Sequence, residues 1–160
     1  MAIIAIATTK LTFAQSKTDA AFNQLLTAYY DLKNALATDK MEIAKEKVKS
    51  LSARVDAIPH KDLPASQHAL WMEQAKVIKV KAIELAAGKD IKTQRKSFEG
   101  ISSAMIKTIR NIKFNNSTVY VQHCPMAKAS WLNEKENIEN PYYGSMMSDC
   151  GDVAETIKSK

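Results

Sequence analysis

The chain has 160 residues, is 46% hydrophobic, and contains only four glycines, four prolines and 7% aromatic residues. That length suits one domain burying roughly 70% of the surface its unfolded chain exposes, and the abundance of Ala, Lys, Ile, Leu and Glu favours helix over sheet. The net charge of +6 permits an anionic partner, but the lysines alternate with acids, as in Glu42, Lys45, Glu46, Lys47 and Lys49, so they read as a solvated helix face and not as a nucleic-acid stripe.

Residues 2–9 form a short apolar run, followed by Thr12, Phe13 and Ala14 and then Gln15. Small residues one and three positions before Gln15 make residues 1–14 an expected export signal, cut between Ala14 and Gln15. No Lys or Arg precedes the run, and the run is too short to span a bilayer, which takes about 20 apolar residues. The mature chain is therefore expected to carry no membrane span and to reside in the periplasm.

Four amphipathic segments follow. The first, about residues 18–37, places Phe22, Leu25, Leu26, Tyr29, Leu32 and Leu36 at helical spacing, and Thr38 with Asp39 offers a turn and an N-cap. In the second, Met41, Ala44, Val48, Leu51, Val55 and Ile58 alternate at three and four, the pattern of a seam facing a neighbouring helix. Residues 59–64 break it, with Asp62 or Ser66 as the next cap. The third carries Trp71, Ala75, Ile78, Ala82 and Leu85, widened by Leu70 and Val77. Gly88 is its expected left-handed stop and Asp90 the cap of the next. The fourth holds Ile91, Phe98, Ile101, Met105, Ile109 and Ile112. Four helices of about 30 Å with short connections predict an antiparallel four-helix bundle over residues 15–114, in an all-α fold.

Residues 115–160 change character and are expected to pack on the bundle as a largely irregular segment. Thr118, Val119, Tyr120 and Val121 alternate and favour extended backbone. Both cysteines, three of the seven methionines and the second tryptophan lie between His123 and Gly151. A bundle does not need such a segment to close, which makes it the place to look for function. In His123-Cys124-Pro125-Met126, a rigid turn after extended backbone presents Cys124 and Met126 towards a common point. In Met146-Met147-Ser148-Asp149-Cys150, one helical turn would put the Met147 and Cys150 sulfurs on one side. Thiolates and thioethers together select Cu(I) and comparable soft ions. A Cys124–Cys150 disulfide is the alternative, closing a loop worth about 3.5 kcal/mol in the chain-entropy model. The residues alone leave both open.

Asn140-Pro141-Tyr142-Tyr143-Gly144 reads as a turn, with Gly144 supplying a positive φ and the tyrosines and Trp131 packing the loop on the bundle. His60 and His68 lack a companion ligand motif and read as solvated or capping. No nucleophile elbow, phosphate loop, zinc helix or haem-attachment motif is present, so no enzyme is expected.

The ordered set Cys124-Pro125-Met126-Ala127, Trp131-Leu132, Asn140-Pro141-Tyr142-Tyr143-Gly144 and Met147-x-x-Cys150-Gly151 resembles an uncharacterised bacterial domain family common in Bacteroidetes. That family occurs as standalone exported proteins and fused to periplasmic adaptor subunits of heavy-metal efflux systems. Tyr30-x-Leu32-x-x-Ala35-Leu36 with Asp39, and Arg95-x-x-Phe98-x-x-Ile101-Ser102, match its helical part. The resemblance implies handling of copper outside the cytoplasm, with Cys124, Met126, Met147 and Cys150 as the sulfur ligands and His123 and Met146 as further candidates. Met146 stands where the family often has a basic residue, and the stretch between Ala127 and Trp131 is short and lacks a glycine. The expectation is a Cu(I)-binding protein that buffers the ion or passes it to an efflux adaptor. The competing expectation is a disulfide-stapled helical interaction module with no metal function.

Overall fold

The apolar spacing of the first two thirds of the chain resolves into α1 (Ala5–Ala37), α2 (Met41–Asp56), α3 (Ala65–Ala87) and α4 (Ile91–Ile112) in a computed structural model. It describes residues 5–160, with side chains from Lys17 onward. The expected export signal falls on residues 1–14, whose side chains lie outside the described residues.

Cross-helix contacts fix the directions of the helices. Lys47 pairs with Asp31 at 3.1 Å while Arg54 reaches Gln24 at 2.8 Å, so α2 ascends as α1 descends. Lys107 meets Glu73 while Ser97 meets Glu84, which makes α3 and α4 antiparallel too. Tyr29 against Ser102 and Leu36 against Arg95 relate α1 to α4 in the same way. The core holds the predicted Phe22, Leu25, Leu32, Leu51, Trp71, Ile78, Phe98 and Ile109, all fully buried. Each such side chain contributes about 1.5–3 kcal/mol. Phe22 stands edge-on to Trp71 at 4.9 Å and stacks on Phe114 at 4.7 Å, closing one end of the bundle. Among the described residues no helix is long and apolar enough to cross a membrane.

The expected all-α fold with an irregular tail is overturned. Residues beyond 115 form β1 (Val119–Cys124), β2 (Ala129–Asn133) and β3 (Asp152–Ile157), a three-stranded antiparallel sheet in the order β2-β1-β3. The described residues form a mixed α/β structure with four α-helices. Val119, Tyr120, Val121, Trp131, Thr156 and Ile157 are β-branched or aromatic and suit a pleated surface better than a loop. β1 is central and pairs Tyr120 with Asn133 through Cys124 with Ala129 on one side; on the other it pairs with β3 through a bulge at Val121/Gln122.

Several helix ends also differ from expectation. Asp90 caps α4 as predicted, accepting Thr93 N–H at 2.7 Å. Gly88 is not left-handed (φ −57°, ψ 127°); the left-handed stop is Lys113, after α4. Asp39 has φ +58° and does not cap α2, and neither Asp62 nor Ser66 caps α3, whose cap position is Pro64. Val77 is exposed, so the buried face of α3 is narrower than predicted.

Candidate metal centre

Cys124 ends β1, and Pro125, Met126, Ala127 and Lys128 turn the chain into β2. Lys128 lies at φ +52°, the position where a glycine is absent and would be preferred. The turn aims a backbone N–H at the Cys124 sulfur, with Ala127 N–H donating to Sγ at 3.4 Å.

Cys150 arrives from the other side, 26 residues on, and its Sγ stands 3.0 Å from Cys124 Sγ. Both thiols are free; Cys124 is buried and Cys150 is half-buried. Burial pushes the Cys124 thiol up, but hydrogen bonds from the Cys150 thiol, Ala127 N–H, the Asn140 amide and Met126 N–H together hold it below the ordinary cysteine value. The Cys150 thiol is pushed up, first by its hydrogen bond to Cys124, then by burial and the Cys124 charge. The pair therefore acts as one acid that gives up its first proton early and its second late.

Asn140 brings the two cysteines together. It is fully buried, and its amide donates to the Cys150 carbonyl at 2.8 Å. Its Oδ1 accepts the N–H groups of Tyr142 (2.8 Å) and Tyr143 (3.2 Å), and its own N–H donates to Ser148 O. This local turn satisfies the backbone of the Asn-Pro-Tyr-Tyr-Gly stretch while holding the chain that bears Cys150. Gly144 takes the expected positive φ (57°), and a Cβ there would land on Arg95 and Asp39. Gly151, at φ 142°, lies against His123 O and the Trp131 ring.

The loop is anchored to the helices by buried polar groups. Arg95 of α4 donates to Pro141 O at 2.9 Å, to Leu36 O at 2.8 Å and to the Asp39 carboxylate at 2.6 Å. Asp39 also accepts Ser145 N–H at 3.0 Å. Hydrogen bonds from the Ser145 hydroxyl and N–H, then from Arg95, hold its carboxyl below the usual aspartate value. Tyr142 spans the gap as expected, its ring 5.9 Å from Trp131 and 5.8 Å from Phe98. On the sheet, Gln122 donates to the carbonyls of Lys135, Glu136 and Asn137. Lys33 of α1, fully buried, donates to Asn133 at 2.6 Å and Glu139 at 3.0 Å and stands 3.3 Å from Glu134.

The other expected ligands are spread more widely. His123 is adjacent to Cys124 on a strand, so it faces the opposite side, and its Nδ1 pairs with Ser130 Oγ at 3.0 Å. Met147 meets the pair through its backbone, its carbonyl accepting Cys150 N–H at 3.3 Å. Residues 144–146 form a 3₁₀ turn and Met147 is not helical (φ −153°), so the one-turn spacing to Cys150 does not apply. Met126 and Met146 are 65% and 72% exposed and line one groove with Tyr142 and Tyr143. Among the described residues no group of three or more His, Cys, Asp or Glu converges. His60 and His68, expected to be solvated or capping, pair with each other at 3.0 Å.

Asn140, Arg95, Asp39, Gln122 and Lys33 organise this region and were not candidates from sequence. Asn140 carried a turn signal through Pro141, and Arg95 and Asp39 stood among the helical matches. Nothing marked Lys33, a charged residue inside a helical apolar stripe.

The fold and the site thus describe a four-helix bundle whose C-terminal sheet and loop hold two free thiols in contact. Over residues 25–117, more than half its length, the chain matches the family described as Protein of unknown function (DUF3347), and it belongs to that family. The matched span covers α2, α3, α4 and α1 from Leu25 onward, and it ends before Cys124. No curated protein and no solved structure matches the chain.

Proposed function

We propose that this protein binds a soft metal ion, Cu(I) above all, at the Cys124–Cys150 pair, in the periplasm, and buffers it or delivers it to a heavy-metal efflux adaptor. The observation that carries the reading is the 3.0 Å approach of two free thiols, one of which accepts the Ala127 N–H. N–H groups aimed at sulfur favour the thiolate, and thiolate is the form that binds metal. The ion is cargo, bound by ligand exchange, and loading releases the thiol protons, so uptake weakens as pH falls. The delivery step draws on the resemblance of the Cys-Pro-Met-Ala and Met-x-x-Cys-Gly stretches to a domain family that occurs standalone and also fused to periplasmic adaptor subunits of heavy-metal efflux systems.

The donor set fits a soft ion after a small movement. With metal–sulfur bonds of about 2.3 Å, two sulfurs stand roughly 3.8 Å apart at a tetrahedral angle and roughly 4.6 Å apart when they alone hold the ion in a line. Loading therefore spreads the pair by roughly 0.8–1.6 Å from its 3.0 Å approach. The same contact also favours the second reading, because a disulfide of about 2.05 Å needs a closure of roughly 1 Å. In that case the protein is a stapled interaction module.

An anaerobic Cu(I) competition titration against a chromogenic chelator separates the two. The metal reading expects the wild type to withdraw Cu(I) with protection of both thiols, and Cys124→Ser and Cys150→Ser each to lose that ability. No uptake by the fully reduced wild type leaves the staple.

A further inference from the structure

Along α4, Lys92, Lys96, Glu99, Ser103, Lys107 and Arg110 follow one another at three and four, the row that a helix presents on one side. Two cavities lie against that row, where α4 meets the sheet and the Asn-Pro-Tyr-Tyr-Gly loop. One, of about 500 Å³, is floored by Ile91, Ala127, Tyr142 and Tyr143. The other, of about 510 Å³, is floored by Ile106, Val121 and Ala129. Glu99 and Ala129 line both, so the cavities join end to end. The resulting groove follows α4 from Ile91 to Asn111, about 30 Å at 1.5 Å per residue. Its charge is one-sided, with three lysines and arginines lining each half against the shared Glu99 carboxylate. Arg95 is committed inside the fold. Lys96, Lys107 and Arg110 are held only by the exposed carboxylates of Glu99, Glu73 and Glu155, and pairs of that kind exchange readily. Lys92 and Lys128, one in each half, carry no salt bridge among the described residues.

We infer that this groove docks an extended acidic segment of a partner protein, about nine residues long at roughly 3.3 Å per residue. Side chains of an extended chain alternate in direction, so one set fills the apolar floor while the other reaches the cationic rim. The positive end of the α4 dipole lies at the Lys92 end and favours a carboxylate there. Met126 and Met146 stand exposed on the same half, and flexible methionines of that kind adapt to varied apolar side chains. The floor sets this occupant apart from nucleic acid, because a phosphodiester backbone gains nothing from Ile106, Val121 and Ala129. The net charge of +6 argues against a second copy of the chain. Docking here does not depend on whether the dithiol takes an ion.

The test titrates a peptide of about nine residues alternating Glu with Leu into the reduced, metal-free full chain labelled at the methionine methyls. The same peptide with Lys in place of Glu, and a single-stranded oligonucleotide of similar length, are run beside it. The expected result is that the Glu-Leu peptide binds, more weakly as salt rises, and that the other two do not. The Met126 and Met146 methyl resonances should move while that of Met72, exposed on α3 outside the groove, stays. Lys92→Glu and Lys128→Glu, both at exposed positions, should each weaken the peptide roughly fivefold, one from each half of the groove. Absence of Glu-Leu binding, equal binding of the Lys peptide or the oligonucleotide, an equal Met72 response, or unchanged affinity in either variant each overturns the docking groove. Failure of the dithiol would show instead in the wild-type Cu(I) titration and would leave these outcomes unaffected.

Discussion

Asn140→Ala removes the side chain that joins the two cysteine-bearing segments. Three hydrogen bonds go with it, to Cys150 O at 2.8 Å and from Tyr142 and Tyr143 N–H at 2.8 and 3.2 Å. Each contributes about 0.5–1.5 kcal/mol net, and each partly buried backbone group left alone costs more, so the loss should be about 3 kcal/mol. For a chain of this size that lowers Tm by about 6–12 °C, measurable by calorimetry. The thiols should respond as well. Without the amide at Cys124 and the tether on Cys150, the early proton loss of the pair should move up towards that of an ordinary cysteine. Asn140→Asp is the informative control. Its carboxylate still accepts from Tyr142 and Tyr143, which keeps the turn, but it offers no donor to Cys150 O, sets an oxygen against that carbonyl and puts a negative charge beside Cys124. The early thiol step should then vanish in a protein that still folds. If Asn140→Ala melts within about 0.5 kcal/mol of wild type with an unchanged thiol titration, Asn140 is not the organiser of this site.

Thiolate absorbance of the reduced protein should rise in two steps, one below and one above the ordinary cysteine range, because the Cys124 thiol is lowered and the Cys150 thiol raised; a single step in that range would refute the shared proton. Since the Asp39 carboxyl is held low, its stabilising contribution is present above the usual aspartate value, near 3.9, and is lost as pH falls through its lower folded value. Asn tolerates the left-handed backbone of Asp39, so Asp39→Asn should flatten that acid-range slope in chemical denaturation without distorting the turn; an unchanged slope would remove the clasp to Arg95 and Ser145 from the account. Lys128→Gly relieves a left-handed lysine in the β1–β2 turn and should stabilise by about 0.5 kcal/mol, read as a shift in denaturation midpoint.

The helices could be read from the sequence because their apolar residues repeat at three and four over twenty positions, and tertiary packing follows that stripe. Of the sheet only the start of β1 could, from the alternation of Thr118, Val119, Tyr120 and Val121; β2 and β3 could not. In β2, Ala129, Trp131, Leu132 and Asn133 are all buried, so no alternation marks it, while β3 places Glu155 between Val153 and Ile157 on its half-buried face, where it pairs with Arg110. The cysteines could be singled out by their position beyond the bundle, and their meeting is the part of the site that the chain's own folding supplies. The choice between Met146 and Met147 was beyond reach, because helical spacing was assumed where the backbone makes a 3₁₀ turn and then extends. Lys33 was invisible for a similar reason, since a buried ammonium is intelligible only once Asn133, Glu134 and Glu139 come round to meet it from a loop about 100 residues away.

The central claim is that the Cys124 and Cys150 sulfurs jointly bind a soft ion, and X-ray absorption at the copper edge of the Cu(I)-loaded protein tests it most directly. The account predicts a first shell of sulfur alone, which is lost or replaced by oxygen and nitrogen in Cys124→Ser. A shell of oxygen and nitrogen in the wild type, or a sulfur shell that persists in both single serine variants, would contradict it.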